Sequence, residues 1–336
     1  MRSRFTLRPP DPLIVLILCA VIVAIVLPAR GWFADAFSVA TQLAIALLFY
    51  LYGARLSPRE ALAGLKHWRL HLTILAFTFV VFPLIGIALT PLKTILSTGL
   101  YLGIVYLTLT PSTVQSSVAF TSIARGNVAG AIVSASLSNL LGVVLTPLLV
   151  MLIMAQGTGI TVGPEVFIKI AVQLLLPFVA GQLTRRWTGR WAAATGTKIV
   201  DRGSITMVVY SAFSAGMVSG IWDTVNVGEI VFLIGFSIVL VAFMLWLTRW
   251  VAARLGFDSQ DQKAIQFCGT KKSLATGLPM GAVIFGPVEV SLLIVPLMIF
   301  HQVQLMMCSW LAARYARSQE AASGKSGETA ASSESS

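Results

Sequence analysis

The stretch Gly269-Thr270-Lys271-Lys272-Ser273 is a polar break inside a long hydrophobic segment of this chain. Apolar residues lie on both sides of it, in 264–268 and in 274–285. Each ammonium group at that depth in a membrane costs about 2.5–3.5 kcal/mol on insertion scales. Some other part of the fold must therefore stabilise the two lysines.

A second polar break, Pro111-Ser112-Thr113-Val114-Gln115-Ser116-Ser117, interrupts an earlier apolar segment. Both breaks contain the pattern Thr-x-x-Ser, as Thr113/Ser116 in the first and Thr270/Ser273 in the second. Because proline lacks an N–H group, it frees carbonyls upstream, and we expect Ser112 and Thr113 to cap the helix that follows. Two interrupted membrane helices in corresponding halves of a chain are typical of a transporter binding site.

The composition indicates a membrane protein that crosses the bilayer several times. Hydrophobic residues make up 57% of the chain and charged residues 11%, with a mean hydropathy of +0.86, whereas soluble domains carry roughly 25% charged residues. The net charge of +11 could suggest nucleic acid as a partner, but the basic residues lie between hydrophobic segments. The expected partner is therefore the lipid bilayer and not nucleic acid. Cys19, Cys268 and Cys308 lie in apolar runs without CxxC spacing and are interpreted as apolar packing residues, not as metal ligands.

A membrane-spanning helix needs about 20 apolar residues, and the sequence offers ten such segments. They are 12–29, 36–54, 70–90, 95–123 (broken near Pro111), 127–155, 165–184, 203–222, 229–250, 262–285 (broken near Gly269) and 289–313. The segment 318–336 is rich in Ser, Ala, Gly and Glu, and is predicted to be a disordered cytoplasmic tail.

The distribution of Lys and Arg predicts the orientation in the membrane. With the N terminus in the cytoplasm, only Arg30 and Lys93 fall outside, while Lys169, Lys271 and Lys272 lie within spans. The other basic residues all fall on the cytoplasmic side, and ten spans then place both termini there.

Ten spans divide into two halves of five, 1–156 and 163–317, and the second half must insert in the opposite orientation. Pro28 and Pro177 have the same separation as Pro147 and Pro296. The last pair also lies in similar surroundings, which supports an inverted repeat.

The acidic residues restrict the chemistry that is available inside the membrane. All 13 Asp and Glu residues lie at span ends, in loops or in the tail, so no carboxylate is placed for a proton relay or a cation site at depth. The expected ionisable groups at depth are Lys271, Lys272 and His301. An enzyme is disfavoured, because no metal cluster, buried acid–base carboxylate or nucleophile–base pair is present.

The two lysines allow several interpretations. Their charge could attract an anionic solute, replace a bound cation, or serve only to cap nearby carbonyls. Because adjacent helical residues point about 100° apart, we expect one lysine to brace the crossing of the broken helices. Gln115, Ser116 and Ser117 add donors and acceptors, whereas the roles of Asn139 and His301 are left open between structure and ligand contact.

Several strings resemble the bile acid:sodium symporter superfamily. They are 110–113, 124–127, 267–275, His67-Trp68-Arg69-Leu70-His71-Leu72 and 296–302. The resemblance covers nearly all ten spans and is closest to a divergent bacterial branch of symporter-like proteins related to the seventh member of solute carrier family 10.

The resemblance implies an all-α polytopic membrane protein in which ten transmembrane helices form two inverted five-helix repeats. Spans 1, 2, 6 and 7 would form a panel domain, spans 3–5 and 8–10 a core domain, and the broken helices 4 and 9 would cross. Sodium-coupled members bind Na⁺ behind that crossing, and the matching sodium ligands fall near Ser116 and Ser117. The family's glutamate and glutamine at the second break fall on Phe267 and Lys271, so both ligand types are replaced here.

The sequence thus predicts a secondary transporter of an organic, anionic solute that works by alternating access in the bacterial inner membrane. Na⁺ is the only cofactor that the resemblance suggests, and its coupling is placed in question by the two replaced ligands. The alternatives are a sodium-independent transporter, or a regulatory membrane protein of the same fold that has lost transport. The predicted site comprises Thr113, Gln115, Ser116, Ser117, Asn139, Thr270, Lys271, Lys272, Ser273 and His301.

Overall fold

Long apolar helices form the part of the chain that the computed structural model describes, namely residues 12–55, 67–154, 168, 171–194 and 196–333. Side chains are described up to residue 318. The helices are α1 (Pro12–Val26), α2 (Gly31–Arg55), α3 (Trp68–Ala76), α4 (Phe82–Ala88), α5 (Thr98–Leu109), α6 (Gln115–Ile123), α7 (Val128–Leu149), α8 (Leu176–Ala192), α9 (Thr197–Ser219), α10 (Val227–Arg254), α11 (Ser259–Thr270), α12 (Leu274–Phe285) and α13 (Pro287–Ser333). Wider π-helical turns join α3 to α4 at Phe77–Val81, extend α7 through Val150–Met154, and precede α8 at Ala171–Leu175.

Among the described residues, five helices are long and apolar enough to cross a membrane by length and composition. They are Gly31–Arg55, Trp68–Ala88, Val128–Met154, Val227–Arg254 and Pro287–Ser318. Pro12–Val26 and Thr98–Leu109 are shorter apolar helices. The polytopic all-helical class is therefore confirmed, while the full count of ten spans stays a prediction.

Many large apolar side chains on these helices are exposed, as expected where lipid replaces water as the surrounding medium. Examples are Ile22 (59% exposed), Leu43 (67%) and Val239 (68%). The helices therefore present apolar surface outward as well as toward the core.

The chain divides into two compact units. The first contains Met1–Arg55, Gly163–Thr224 and Leu278–Leu292, and the second contains Leu56–Val162, Val225–Gly277 and Leu293–Ser336. The stretch 156–163, predicted to separate two repeats, lies outside the described residues, as does Lys169.

Close contact between α2 and α8 organises the first unit. A Cβ atom on Gly53 would lie 2.0 Å from the carbonyl oxygen of Phe178, and one on Gly181 would lie 2.1 Å from that of Tyr50. Only glycine permits this approach, which is typical of membrane helix pairs. At one end of the pair, Arg55 forms an ion pair of 2.7 Å with Asp201.

The last helix differs from the expectation for the C-terminal segment. The composition of 318–336 predicts disorder, yet α13 continues to Ser333. A helix satisfies its backbone hydrogen bonds internally, and Ala, Glu, Gln and Lys have favourable helix propensities, so this segment needs no apolar core to be helical.

Candidate site at the two helix breaks

The two polar breaks contact each other directly in the second unit. The Ser273 amide donates to the Pro111 carbonyl at 2.7 Å, and the Ser112 hydroxyl donates to the Cys268 carbonyl at 2.6 Å. Each break exposes carbonyls or amides that its own helix leaves unpaired. Pairing across the breaks therefore satisfies backbone groups from both chain segments.

The first break begins at Thr110, where the backbone becomes extended (φ −74°, ψ 154°). The next helix starts at Gln115, with Val114 at the N-cap position and no side-chain hydrogen bond to the first turn. The expectation that Ser112 and Thr113 cap this helix is therefore wrong. Ser112 is instead used across the breaks, and the Thr113 hydroxyl lies 2.9 Å from the Ser116 hydroxyl.

Asn139 on α7 connects the two breaks through its amide group. Its Nδ2 donates to the Ser112 carbonyl at 2.7 Å, and its Oδ1 accepts from the Thr276 hydroxyl at 2.6 Å. The Ser273 hydroxyl in turn donates to Thr276 Oγ1 at 3.1 Å. The structure thus gives Asn139 a bridging role, which the sequence left open.

Ser138 has a role that its sequence context does not indicate. Within a stretch of small residues it resembles a packing residue, yet its hydroxyl accepts the Ser112 amide at 3.0 Å. The backbone amide of Ser112 therefore donates to a side chain on α7.

Lys272 is fully buried and its ammonium group donates three hydrogen bonds. The acceptors are the carbonyls of Thr78 at 3.0 Å, Thr108 at 2.8 Å and Thr110 at 2.8 Å. All three carbonyls lack their usual helical partner. The Phe82 N–H donates to the Phe77 carbonyl, and residue 83 is a proline without an N–H group. The Thr78 carbonyl therefore has no backbone donor in its own helix.

The end of α5 supplies the other two acceptors of Lys272. The Ser112 amide, which would serve Thr108 in a continuous helix, is taken by Ser138. Thr110 lies beyond the last residue of α5. Lys272 therefore braces the break, and the ring of Phe82 lies 4.2 Å from its Nζ atom. This is the bracing role expected for one of the two lysines.

Lys271 is also fully buried, but its ammonium group has no hydrogen-bond partner among the described residues. Its Nζ atom lies 3.9 Å from the centroid of the Phe120 ring on α6 and 5.9 Å from that of Phe267 on α11. The two adjacent lysines thus have different environments.

Gln304 on α13 pairs with the backbone of Lys272. Its Oε1 accepts the Lys272 amide at 2.9 Å, and its Nε2 donates to the Lys272 carbonyl at 2.8 Å. The ring of His301 lies 2.9 Å from Gln304 Nε2 and 3.5 Å from the Lys272 carbonyl. His301 therefore lies at the second break.

The remaining predicted residues differ in burial. Ser117 is buried and its hydroxyl donates to the Phe267 carbonyl at 3.4 Å, whereas Gln115 is exposed at the start of α6. Thr270 is buried with its hydroxyl 3.3 Å from that of Thr248, away from the contacts that join the breaks.

The contacts at the breaks involve most of the predicted residues and several that lie outside the predicted set. The additional members are Thr78, Phe82, Thr108, Phe120, Ser138, Thr276 and Gln304. Pro83 is the one local signal that could have indicated an acceptor for Lys272, because a proline frees a carbonyl upstream.

The groups around Lys271 do not fit Na⁺, a hard cation that requires oxygen ligands. Among the described residues, the rings of Phe120 and Phe267 lie 3.9 Å and 5.9 Å from the ammonium group, and no oxygen accepts a hydrogen bond from it. The hydroxyls of Ser116 and Ser117, expected near a sodium site, already bond to Thr113 and to the Phe267 carbonyl.

Comparison with known proteins supports the family indicated by the sequence. The profile of the SBF-like CPA transporter family matches residues 11–317. An uncharacterized Pseudomonas aeruginosa protein is 48% identical over 322 residues, covering 95% of this chain and 96% of that protein. "Putative symporter YfeH" of Escherichia coli K12 is 46% identical over 314 residues (92% and 94%). "Sodium/bile acid cotransporter 7" of Xenopus tropicalis is 31% identical over 283 residues (81% and 80%).

These relationships confirm the resemblance to bile acid:sodium symporters and the prediction that the chain is not an enzyme. The chain is a multi-pass membrane transporter with bacterial relatives, and it belongs to the SBF-like CPA transporter family.

Proposed function

We propose that this protein is a secondary transporter that moves an organic anion across the bacterial inner membrane by alternating access, without coupling to Na⁺. The observation that carries this proposal is the Lys271 ammonium group, which is fully buried beside the helix breaks and has no hydrogen-bond partner among the described residues. By the family resemblance, sodium-coupled members carry an ion ligand at this position, so the tethered charge would take its place.

A tethered cation has an electrostatic consequence for the breaks. The helix-end carbonyls at such breaks carry partial negative charge, which a bound cation stabilises in sodium-coupled transporters. In this chain the Lys272 ammonium contacts those carbonyls directly, and Lys271 adds a second charge nearby. The protein therefore supplies from its own side chains the charge that Na⁺ would provide.

An anionic solute fits the same electrostatics. The first turn of α6 has no side-chain cap, so its N–H groups remain available to a polar or anionic ligand. Gln115 is exposed at this helix start. Together with the two lysines, this end of α6 favours a negatively charged group over a cation.

The division of the helices between the two compact units supports the architecture that we propose for this transporter. We infer two inverted repeats of five spans, with panel and core domains. The first compact unit contains the helices of spans 1, 2, 6 and 7, and the second contains most of the others. The broken helices 4 and 9 correspond to α5/α6 and α11/α12, and both termini are placed in the cytoplasm.

The test is solute flux in proteoliposomes that contain the purified full chain. A bacterial metabolite extract is first screened for compounds that raise the unfolding temperature, and uptake of each hit is then measured with Na⁺ or choline outside. We expect uptake of an anionic compound at equal rates in both salts. Strong stimulation by Na⁺ would refute the tethered-cation proposal, and absence of flux for every stabilising compound would favour a regulatory protein of the same fold.

A matched pair of variants separates the site from general charge effects. Lys271→Gln removes the buried charge, and we expect it to abolish most uptake. Lys198→Gln removes a charge from an exposed position on α9, and we expect uptake within about twofold of the unmodified chain, because surface substitutions have small effects.

A further inference from the structure

Two basic residues on neighbouring helices of the second unit lie beside one tyrosine, Tyr315. Lys263 Nζ on α11 and the Arg249 guanidinium carbon on α10 each lie 5.7 Å from the centroid of the Tyr315 ring on α13. Arg125 follows α6, and its charge and that of Arg249 both act on Lys263. Like charges repel, so a bound anion would stabilise this cluster.

The backbone holds these residues together. A Cβ atom on Gly126 would lie 2.9 Å from Lys263 Cβ, and the Asn127 amide donates to the Gln260 carbonyl at 3.0 Å. The connection after α6 is therefore packed against α11. Arg125 adopts a left-handed conformation there (φ 53°), which is unfavourable for a residue with a side chain.

Tyr315 is itself fixed by hydrogen bonds. Its hydroxyl donates to Gln266 Oε1 at 2.9 Å, and Gln266 Nε2 donates to the Leu245 carbonyl at 2.8 Å. The ring is therefore held within cation–π distance of both Lys263 and Arg249.

The positive charge of Lys263 and Arg249 is not neutralised by carboxylates within the described ranges. Lys263 is 3% exposed, and neither side chain forms an ion pair there. Arg249 Nη1 is buried without a hydrogen-bond partner. The nearby carboxylate of Asp261 already accepts the Asn127 side-chain amide at 2.7 Å.

The neighbouring surface has the character of a membrane–water boundary. Trp250 on α10 and Trp310 on α13 are 45% and 59% exposed. Arg254 and Arg314 lie over these rings at 5.1 Å and 5.6 Å. Exposed tryptophans beside arginines are typical of the level of lipid headgroups.

We propose that Arg249 and Lys263 bind a phosphate group. A guanidinium fork donates two parallel hydrogen bonds to phosphate oxygens, and Arg249 has a buried N–H group without an acceptor. An adjacent ammonium adds a third donor, and a multivalent anion balances several cations at once. The phosphate belongs either to the headgroup of an anionic phospholipid or to a soluble phosphate compound, and both share this chemistry.

The test measures the unfolding midpoint of the purified full chain in a neutral detergent. One arm adds inorganic phosphate against chloride at equal ionic strength, and the other adds short-chain phosphatidylglycerol against phosphatidylcholine. A ligand that binds only the folded state raises the midpoint with concentration. We expect stabilisation by phosphatidylglycerol alone if the source is lipid, and by both probes if free phosphate also binds.

The variants should affect the unfolding midpoint differently with and without the probe. Without it, Arg249→Gln and Lys263→Gln should be as stable as the unmodified chain or more so, because like-charge repulsion is relieved. With it, each should weaken binding at least about tenfold, the effect of losing a charged hydrogen bond. Lys263→Arg keeps the charge and should keep binding within about threefold. Arg190→Gln, at an exposed position in the first unit, should show the same rise of the unfolding midpoint with the probe as the unmodified chain.

Two results would overturn the proposal. One is an unchanged midpoint of the unmodified chain with both probes at every concentration. The other is an equal response of Arg249→Gln, Lys263→Gln and the Arg190→Gln control. Binding is the readout throughout, so the result is independent of whether a solute is transported.

Discussion

Substitution of the two adjacent lysines should change stability in opposite directions. Lys272→Met removes three hydrogen bonds from an ammonium to carbonyls, each worth about 1.5–3 kcal/mol. It also removes a cation–π contact with Phe82, worth about 2 kcal/mol when desolvated. Removing the buried charge stabilises the folded state by about 2.5–3.5 kcal/mol, the cost of burying the ammonium group. At the lower bond value, the net effect is a loss of about 3 kcal/mol.

Lys271→Met removes no hydrogen bond that the structure describes. The cation–π contact with Phe120 at 3.9 Å contributes about 2 kcal/mol, and the Phe267 ring at 5.9 Å lies at the limit of the range and adds little. The sum is less than the cost of burying the charge. This variant should therefore be about 1 kcal/mol more stable than the unmodified chain. Two neighbouring residues of the same type would then differ by about 4 kcal/mol in their effect on unfolding.

The assay is reversible unfolding in mixed micelles with a rising fraction of denaturing detergent, followed by tryptophan fluorescence. Lys198→Met, at an exposed position, serves as the neutral control, and a size-exclusion profile confirms that each variant is monodisperse before unfolding. If Lys271→Met destabilises as much as Lys272→Met, its ammonium group must be bonded in the folded state. The reasoning that leaves Lys271 free to replace a coupling ion would then fail.

The other predictions concern the first break, coupling and orientation. Ser116→Ala with Ser117→Ala should weaken apparent solute affinity with normal membrane insertion, and unchanged uptake kinetics would assign both hydroxyls to packing. Lys271→Gln alone should impair uptake. Adding Phe267→Glu restores the ligand types that the resemblance assigns to sodium-dependent members, and uptake by this double variant should respond to Na⁺. A double variant without a Na⁺ response would contradict this. Gly196→Cys, in a background without native cysteines, should react with an impermeant thiol reagent only from the cytoplasmic side, and labelling from outside would reverse the predicted topology.

Local sequence signals were enough to predict the class of the protein and the position of both breaks. Hydropathy over about 20 residues reports burial in a bilayer, and proline or clustered polar residues report where a helix cannot continue. The helices accordingly stop at Leu109 and Thr270 and resume at Gln115 and Leu274.

The partners of the polar groups could not be predicted in this way. Ser112 has a side chain suited to cap α6, yet it donates to Cys268, 156 positions away in the chain. As a cap, the Ser112 hydroxyl would pair one free amide of α6. In the contact across the breaks it instead pairs the Cys268 carbonyl at the end of α11. The competition between these bonds depends on how close the second break lies, which no local pattern contains.

The sequence by itself determined that this chain is an all-helical membrane transporter with two polar interruptions and two lysines at one of them. Only the tertiary structure decided that Lys272 braces the first break while Lys271 lies against Phe120. The two residues are chemically identical and adjacent, so their difference comes entirely from the acceptors that surround them. Those acceptors, Thr78 and Thr108, lie 194 and 164 positions away, and packing of distant helices alone brings them within hydrogen-bond distance of one ammonium group and not the other.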